Sequence, residues 1–94
     1  MIQQDLMEAA KRRLRKTQAN ELDFDIEQLA SFAIQDLRRI GVAEKYLADV
    51  KDPIIREAIL TYVNANYGSN PDREKLMQAY EMILVKVKGG RYDE

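Results

Sequence analysis

The 94-residue chain contains no cysteine and no histidine. Without cysteine it can form neither a disulfide nor a thiolate nucleophile, as is typical of proteins in a reducing cytoplasm. Without histidine it lacks the usual proton shuttle and the commonest ligand of transition metals. The sequence also lacks a GxGxxG or Walker phosphate loop, and no spacing singles out a pair of carboxylates as acid and base. We therefore predict that the protein is not an enzyme and binds no cofactor or metal.

Neither the overall charge nor the hydropathy of the chain indicates a nucleic-acid or membrane protein. The net charge of −1 gives no general attraction to DNA. No apolar run approaches the ~20 residues that span a bilayer, and residues 1–10 are too polar for a secretory signal. We expect a soluble, single-domain protein in the cytoplasm.

The charges are nevertheless unevenly distributed in the N-terminal part of the chain. A basic block consists of Lys11, Arg12, Arg13, Arg15 and Lys16, and an acidic segment contains Glu21, Asp23, Asp25 and Glu27. The block could favour a helix dipole and pair with the acidic segment, or it could face DNA or an acidic partner. A calcium loop is not indicated, because Gln28 and Ile34 occupy the positions of its glycine and bidentate glutamate.

The apolar spacing predicts an all-α fold, a single domain over residues 1–94 built as a small bundle of four main helices. These helices are expected at about 2–16, 24–40, 53–67 and 71–88, followed by a flexible polar tail at 89–94. Either Asp23 or Asp25 can cap the second helix, with Asp25 taken as the cap because Gln28 is placed to complete a capping box with it, and Gly41 is predicted to end the helix. Phe32 and Ile34 widen the apolar face of this helix, which indicates a central position. Residues 42–51 fit either a short helical turn or an ordered loop.

Start and stop signals define the last two predicted helices. Asp52 is an N-cap acceptor followed by Pro53, which loses no hydrogen bond at a first helical position. Gly68 is suited to the left-handed residue that closes a helix, and Asn70 with Pro71 repeats the start signal. Because the connection is so short, the two helices are predicted to form an antiparallel hairpin.

The last predicted helix is apolar on nearly every side. Tyr80 and Ile83 lie on one face, which we expect to pack against Tyr62 of the preceding helix. Met82 and Val85 lie on the opposite face. They could be scattered exposed residues, but a helix that is apolar all round requires cover all round. We therefore predict that Met82 and Val85 contact another subunit.

A DNA-binding regulator is the alternative function. Residues 37–47, with Gly41 in the turn, loosely resemble a helix-turn-helix. The segment that would read DNA carries Glu44 and Asp49 and is cut short by Asp52 and Pro53, which makes it a poor surface for phosphates.

Two ordered motifs resemble a known family. The pattern DIxxLAxxAxxDLxxxGV covers residues 25–42, and DxIIxxAIxxYVxxNYG covers residues 52–68, followed by Tyr80. In this order they resemble the head–tail connector, or adaptor, proteins of long-tailed bacteriophages. The resemblance is closest to the short members from phages and prophages of Gram-positive bacteria, and it extends from Leu6 to Leu84.

The resemblance implies a structural virion protein rather than a catalyst. Connectors of this family are mainly α-helical and assemble as a ring, commonly dodecameric, beneath the portal protein. The ring extends the DNA channel, contacts packaged DNA at most non-specifically, and provides a docking surface for the next neck or tail-completion protein. The expected location is the virion neck, and the host cytoplasm during assembly.

Overall fold

A computed structural model describes residues 3–14 and 23–93 of the chain. Over these residues it contains five helices and no strand: α1 (Gln4–Leu14), α2 (Asp23–Arg39), α3 (Glu44–Ala48), α4 (Pro53–Asn66) and α5 (Arg73–Lys88). The predicted all-α fold is therefore confirmed. α1, α2, α4 and α5 are the four main helices, and the segment that the sequence left open contains the short helix α3.

α4 is the central helix, rather than α2 as the sequence suggested. It packs against α1, α2 and α5, whereas α2 packs against α1, α3 and α4. The reason is that α4 buries residues on more than one side. Those buried side chains are Ile55, Ala58, Ile59, Leu60, Thr61, Val63 and Ala65.

A glycine in the left-handed region ends α2. Gly41 has a φ of 105°, a conformation that costs glycine little because it has no Cβ. Its amide donates to the carbonyl of Arg38 over 3.1 Å, and the amide of Val42 donates to the carbonyl of Leu37 over 3.0 Å. This is a Schellman motif, and its two apolar partners, Leu37 and Val42, are both buried. The chain is thereby turned into α3.

α4 and α5 form the antiparallel hairpin that the sequence predicted. Asp52 is the N-cap of α4, and its Oδ1 accepts the amide hydrogens of Ile54 and Ile55 over 2.9 and 3.2 Å. Gly68, with a φ of 62°, follows the end of this helix. The rings of Tyr62 and Tyr80 then meet across the hairpin, with centroids 5.1 Å apart.

Two predicted caps need correction. Asp25 lies inside the first turn of α2, which begins at Asp23, so it is not the N-cap, although a carboxylate there still favours the helix dipole. Asn70 precedes a turn, and α5 begins only at Arg73. Asn70 Oδ1 accepts the amide hydrogen of Asp72, and its Nδ2 donates to the carbonyl of Asn64, both over 2.8 Å. Asn70 therefore ties the turn to the end of α4.

The polar tail was expected to be flexible, and in the structure one of its residues, Tyr92, packs against α3 and the residue before it. The carbonyl of Tyr92 accepts the amide hydrogen of Ala43 over 2.7 Å. Its ring meets the ring of Tyr46 edge to face, with centroids 5.0 Å apart. An aromatic side chain with polar partners can hold a short segment that the composition alone marks as polar. Residue 94 lies outside the described residues.

Candidate assembly surfaces

Met82 and Val85 form an apolar strip on the outer face of α5. Their exposed fractions are 66% and 68%, although Tyr80 and Val87 of the same helix are buried. Residues three apart are neighbours on a helix surface, so the two side chains make one continuous patch. We call it the α5 strip. Nothing within the described ranges covers it.

Charges of opposite sign flank the α5 strip. The helical period places Glu74 and Glu81 along one side of it and Lys75 and Lys86 along the other. All four residues are exposed. The strip therefore has an acidic edge and a basic edge, so the charge changes sign from one side of the strip to the other.

Two phenylalanines of α2 are exposed as well. Phe32 was expected to widen the core face of α2, but 54% of its surface is exposed, because the helical period places it well round the helix from the buried Ala30, Ala33 and Leu37. Phe24, which sequence reasoning passed over, is 72% exposed. The signal was present in the spacing, since a residue two positions before the buried Ile26 points to the opposite side of a helix.

The structure divides the predicted basic block. Lys11, Arg12 and Arg13 lie in the last turn of α1, while Arg15 and Lys16 lie outside the described residues. Arg13 donates two hydrogen bonds to Glu57 of α4, of 2.6 and 3.1 Å. These bonds hold the pKa of the Glu57 carboxyl below its usual value. One guanidinium of the block is thus paired with a helix distant in sequence.

Arg56 joins the basic block in space. This residue of α4 donates to the backbone carbonyl of Asp5 over 3.2 Å and lies 3.6 Å from its carboxylate. Sequence reasoning missed it, because only the packing of α1 on α4 brings these residues together. Between the two helices lies an open groove of about 620 Å³, which we call the arginine groove. It is lined by Ala9, Arg12, Arg13, Arg56, Leu60 and Asn64.

A buried phenol links α5 to α2. Tyr80 donates a hydrogen bond of 2.9 Å to Oδ2 of Asp36. Burial, and then the bond to the carboxylate, raise the pKa of Tyr80 above its usual range. The other oxygen of Asp36 accepts from Arg39 over 2.9 Å. This network positions the two helices, and it offers no free acid or base to a substrate.

The segment that resembled a helix-turn-helix does not present a recognition helix. α3 has five residues, too few to lie along a DNA groove as a recognition helix does. Glu44 at its start is paired with Arg38 through two hydrogen bonds. The carboxylate at the start of α3 is therefore compensated by a guanidinium of α2.

Residues 3–14 and 23–93 contain neither a cluster of metal ligands nor a membrane-spanning helix. No group of three or more acidic side chains there is arranged to hold a metal ion. No helix in the same ranges is both long and apolar enough to cross a bilayer.

Comparison with known proteins adds no relative to these observations. No family model, curated protein or solved structure matches the chain. The two sequence motifs and the surfaces described above are therefore the features that bear on function.

Proposed function

We propose that this protein is a structural head–tail connector of a long-tailed bacteriophage or prophage. In this proposal it assembles as a ring, dodecameric in the virion, beneath the portal protein. The ring extends the DNA channel in the virion neck and provides the docking surface for the next neck or tail-completion protein. The protein acts by assembly in the host cytoplasm, not by catalysis.

The observation that carries the proposal is the ordered pair of motifs that resembles the connector family. The first motif supplies Ala30, Ala33 and Leu37 of α2 to the core, and the second supplies Ile55 and Ile59 of α4. These helices pack directly against each other. The residues that carry the resemblance therefore form one packing unit, which is the part of a sequence that a shared fold would preserve.

The α5 strip supports assembly with other subunits. Two large apolar side chains, Met82 and Val85, are exposed side by side on a well-formed helix. Exposed apolar surface rimmed by polar residues is typical of a protein–protein contact. Burying both side chains would stabilise a contact through the hydrophobic effect.

The charges beside the α5 strip disfavour an antiparallel pairing of two copies through this strip. If two α5 helices paired antiparallel about a two-fold axis, the edge with Glu74 and Glu81 would meet its own copy, and like charges would repel. A different surface on the neighbouring subunit avoids this repulsion. Contacts between unlike surfaces generate a closed ring when the rotation between subunits closes.

Co-assembly with the portal protein encoded in the same genome tests the proposal. The two proteins would be co-expressed, purified through a tag on the portal protein, and examined by negative-stain electron microscopy. We expect a second ring of density beneath the portal ring and co-purification of this chain. A portal ring that recruits none of the chain would overturn the proposal.

No observation favours the alternative, a DNA-binding regulator, over the connector. A salt titration of duplex binding separates the two, because binding dominated by phosphates weakens steeply with salt. Sequence-specific binding that survives moderate salt would favour the regulator. Weak, sequence-independent binding, or none, would favour the connector.

A further inference from the structure

The arginine groove combines an apolar floor with a positively charged rim. Leu60 and Ala9 lie at the floor, and each exposes only a narrow apolar edge to the groove because most of its surface is buried in the core. Arg12 stands exposed on the rim and makes no hydrogen bond or ion pair with any of the described residues. A volume of about 620 Å³ is within the range of pockets that hold a small ligand or a few side chains.

The positive charge of the groove is only partly balanced. Glu57 compensates Arg13, and Asp5 lies beside Arg56. Arg12 remains available to a carboxylate from outside. The two built-in carboxylates disfavour a ligand as dense in charge as the DNA backbone, since each would face phosphates at close range. The groove is suited instead to a segment with one or two carboxylates and an apolar side chain.

The start of α2 has this composition, and its phenylalanine is exposed. Phe24 lies in the first turn of the helix, between Asp23 and Asp25 in the sequence, and 72% of its surface is exposed. An aromatic ring contributes a large apolar area to a contact. No described residue of the same chain covers this ring.

We infer that the arginine groove binds the start of α2 from a second copy of the chain. Phe24 lies on the floor beside Leu60, and Asp25 pairs with Arg12 at the rim. The contact joins two different surfaces, so each copy can bind one neighbour through its groove and another through its α2. This inference rests on the proposed function, because a ring needs two such unlike surfaces.

Disulfide trapping tests the contact directly, since the chain has no cysteine of its own. Asn64→Cys places a thiol in the groove, and Gln28→Cys places one on the exposed side of α2, one turn after Phe24. Under oxidation, the double variant is expected to give a ladder of dimers, trimers and larger species. Each single variant has only one thiol per chain and therefore can give dimers at most. A double variant that also stops at dimers would overturn the head-to-tail arrangement. Absence of cross-linking at about millimolar concentration, which detects even weak contacts, would overturn the contact itself.

Charge reversal then tests the predicted partners. On this trapping background, Arg12→Glu and Asp25→Arg should each lower the cross-linked fraction about five-fold, and the two together should restore it. If the double charge reversal does not restore cross-linking, Arg12 and Asp25 do not pair in the contact. Circular dichroism shows whether each variant stays folded.

A matched pair of phenylalanine variants tests the contact without any change of charge. Phe24→Ser should abolish the ladder, whereas Phe32→Ser, which changes another exposed phenylalanine of α2, should leave it intact. Equal effects of the two substitutions would contradict the inference.

The results for the groove and for the proposed function can be separated. If the chain joins portal rings but Phe24→Ser joins them equally well, the inference fails and the proposed function stands. If a ladder forms but portal rings recruit no chain, the inference stands and the proposed function fails. Duplex DNA binding that Arg12→Glu abolishes, in the absence of any cross-linking, would assign the groove to nucleic acid and overturn the inference.

Discussion

The hydroxyl of Tyr92 donates a hydrogen bond of 3.0 Å to Oδ1 of Asp52. The same oxygen accepts the amide hydrogens of Ile54 and Ile55, so it caps α4 and holds the end of the chain at once. The backbone of Tyr92 is bonded to Ala43, just before α3. The C-terminal segment, α3 and the start of the central helix are therefore one connected unit.

Tyr92→Phe should lower the free energy of unfolding by about 1 kcal/mol, the usual net contribution of one hydrogen bond. Tyr92→Ala should cost more, because it also removes the ring contact with Tyr46. Arg91→Ala is the control, since the Arg91 residue is exposed. Urea denaturation measures all three, and equal stability of Tyr92→Ala and the parent would mean that the tail does not contribute to the fold.

Stability should fall in alkaline solution because of Tyr80. Burial and the bond to Asp36 raise the pKa of this phenol in the folded protein, whereas tyrosines of the unfolded chain ionise near pH 10. The folded state thus binds the phenolic proton more tightly. The contribution of the protonated Tyr80 to the free energy of unfolding is complete below about pH 10 and is lost progressively as the pH rises above this value.

Tyr80→Phe isolates this effect. The variant should be less stable near neutral pH, because it loses the hydrogen bond to Asp36, by about 0.5–1.5 kcal/mol. It should also lose less stability than the parent between about pH 9 and pH 11. Denaturant melts at several pH values measure both quantities. If the parent and Tyr80→Phe lose the same amount of stability as the pH rises, groups other than Tyr80 cause the pH dependence.

Ile59→Ala should destabilise the protein by ~2–5 kcal/mol, as expected for a buried large-to-small change that leaves a cavity. Ile59 is almost completely buried on the central helix. Ile54→Ala is the matched control on the same helix, because Ile54 is exposed. A loss below about half a kilocalorie for Ile59→Ala in denaturant melts would place this residue outside the core.

Replacing Arg12 and Lys16 with glutamine should change stability by no more than ~1 kcal/mol, the range of exposed charges. The structure shows Arg12 to be exposed, while Lys16 lies outside the described residues. Arg13→Gln is the comparison, because Arg13 is paired with Glu57. Its effect should be larger than that of Arg12→Gln at low salt and should shrink as salt is added. If the basic block lines a DNA channel, the double variant should still fill heads but retain DNA differently.

The sequence predicted the hairpin because its signals are local. Asp52, Pro53 and Gly68 act on neighbouring backbone groups, and the apolar period of α4 and α5 is visible over single turns. The tail could not be predicted in this way. Its Tyr92 contacts Ala43 and Asp52, which are distant from it in the sequence.

The candidate surfaces also differ in whether local spacing or contacts between distant residues create them. The helical period was enough to find Met82 and Val85, since exposure on a helix follows from spacing. It would also have found Phe24. The arginine groove could not be predicted, because Arg56 meets the end of α1 only through the packing of α1 on α4.

The α5 strip leads to a prediction about assembly. Met82 and Val85 face outward while the other side of α5 is buried in the same subunit. A charge at Val85 would therefore remain in water in the lone subunit but would be buried without a partner in a subunit contact. The free-energy cost of the charge is therefore small in the lone subunit and large in the assembled ring, since an unpaired buried charge is far less stable than an exposed one.

We therefore expect Val85→Glu to give a well-folded monomer by circular dichroism that fails to form rings and yields tailless heads. The penalty should be several kcal/mol for each interface, in the range measured when a buried charge lacks its partner. Ser69→Glu, which adds the same charge at an exposed loop position, should assemble as the parent does. Val85→Ala should weaken rings without abolishing them, because it removes apolar area but adds no charge. Normal rings and infectious particles from Val85→Glu would make Val85 a scattered surface residue and would remove the α5 strip from the subunit contact.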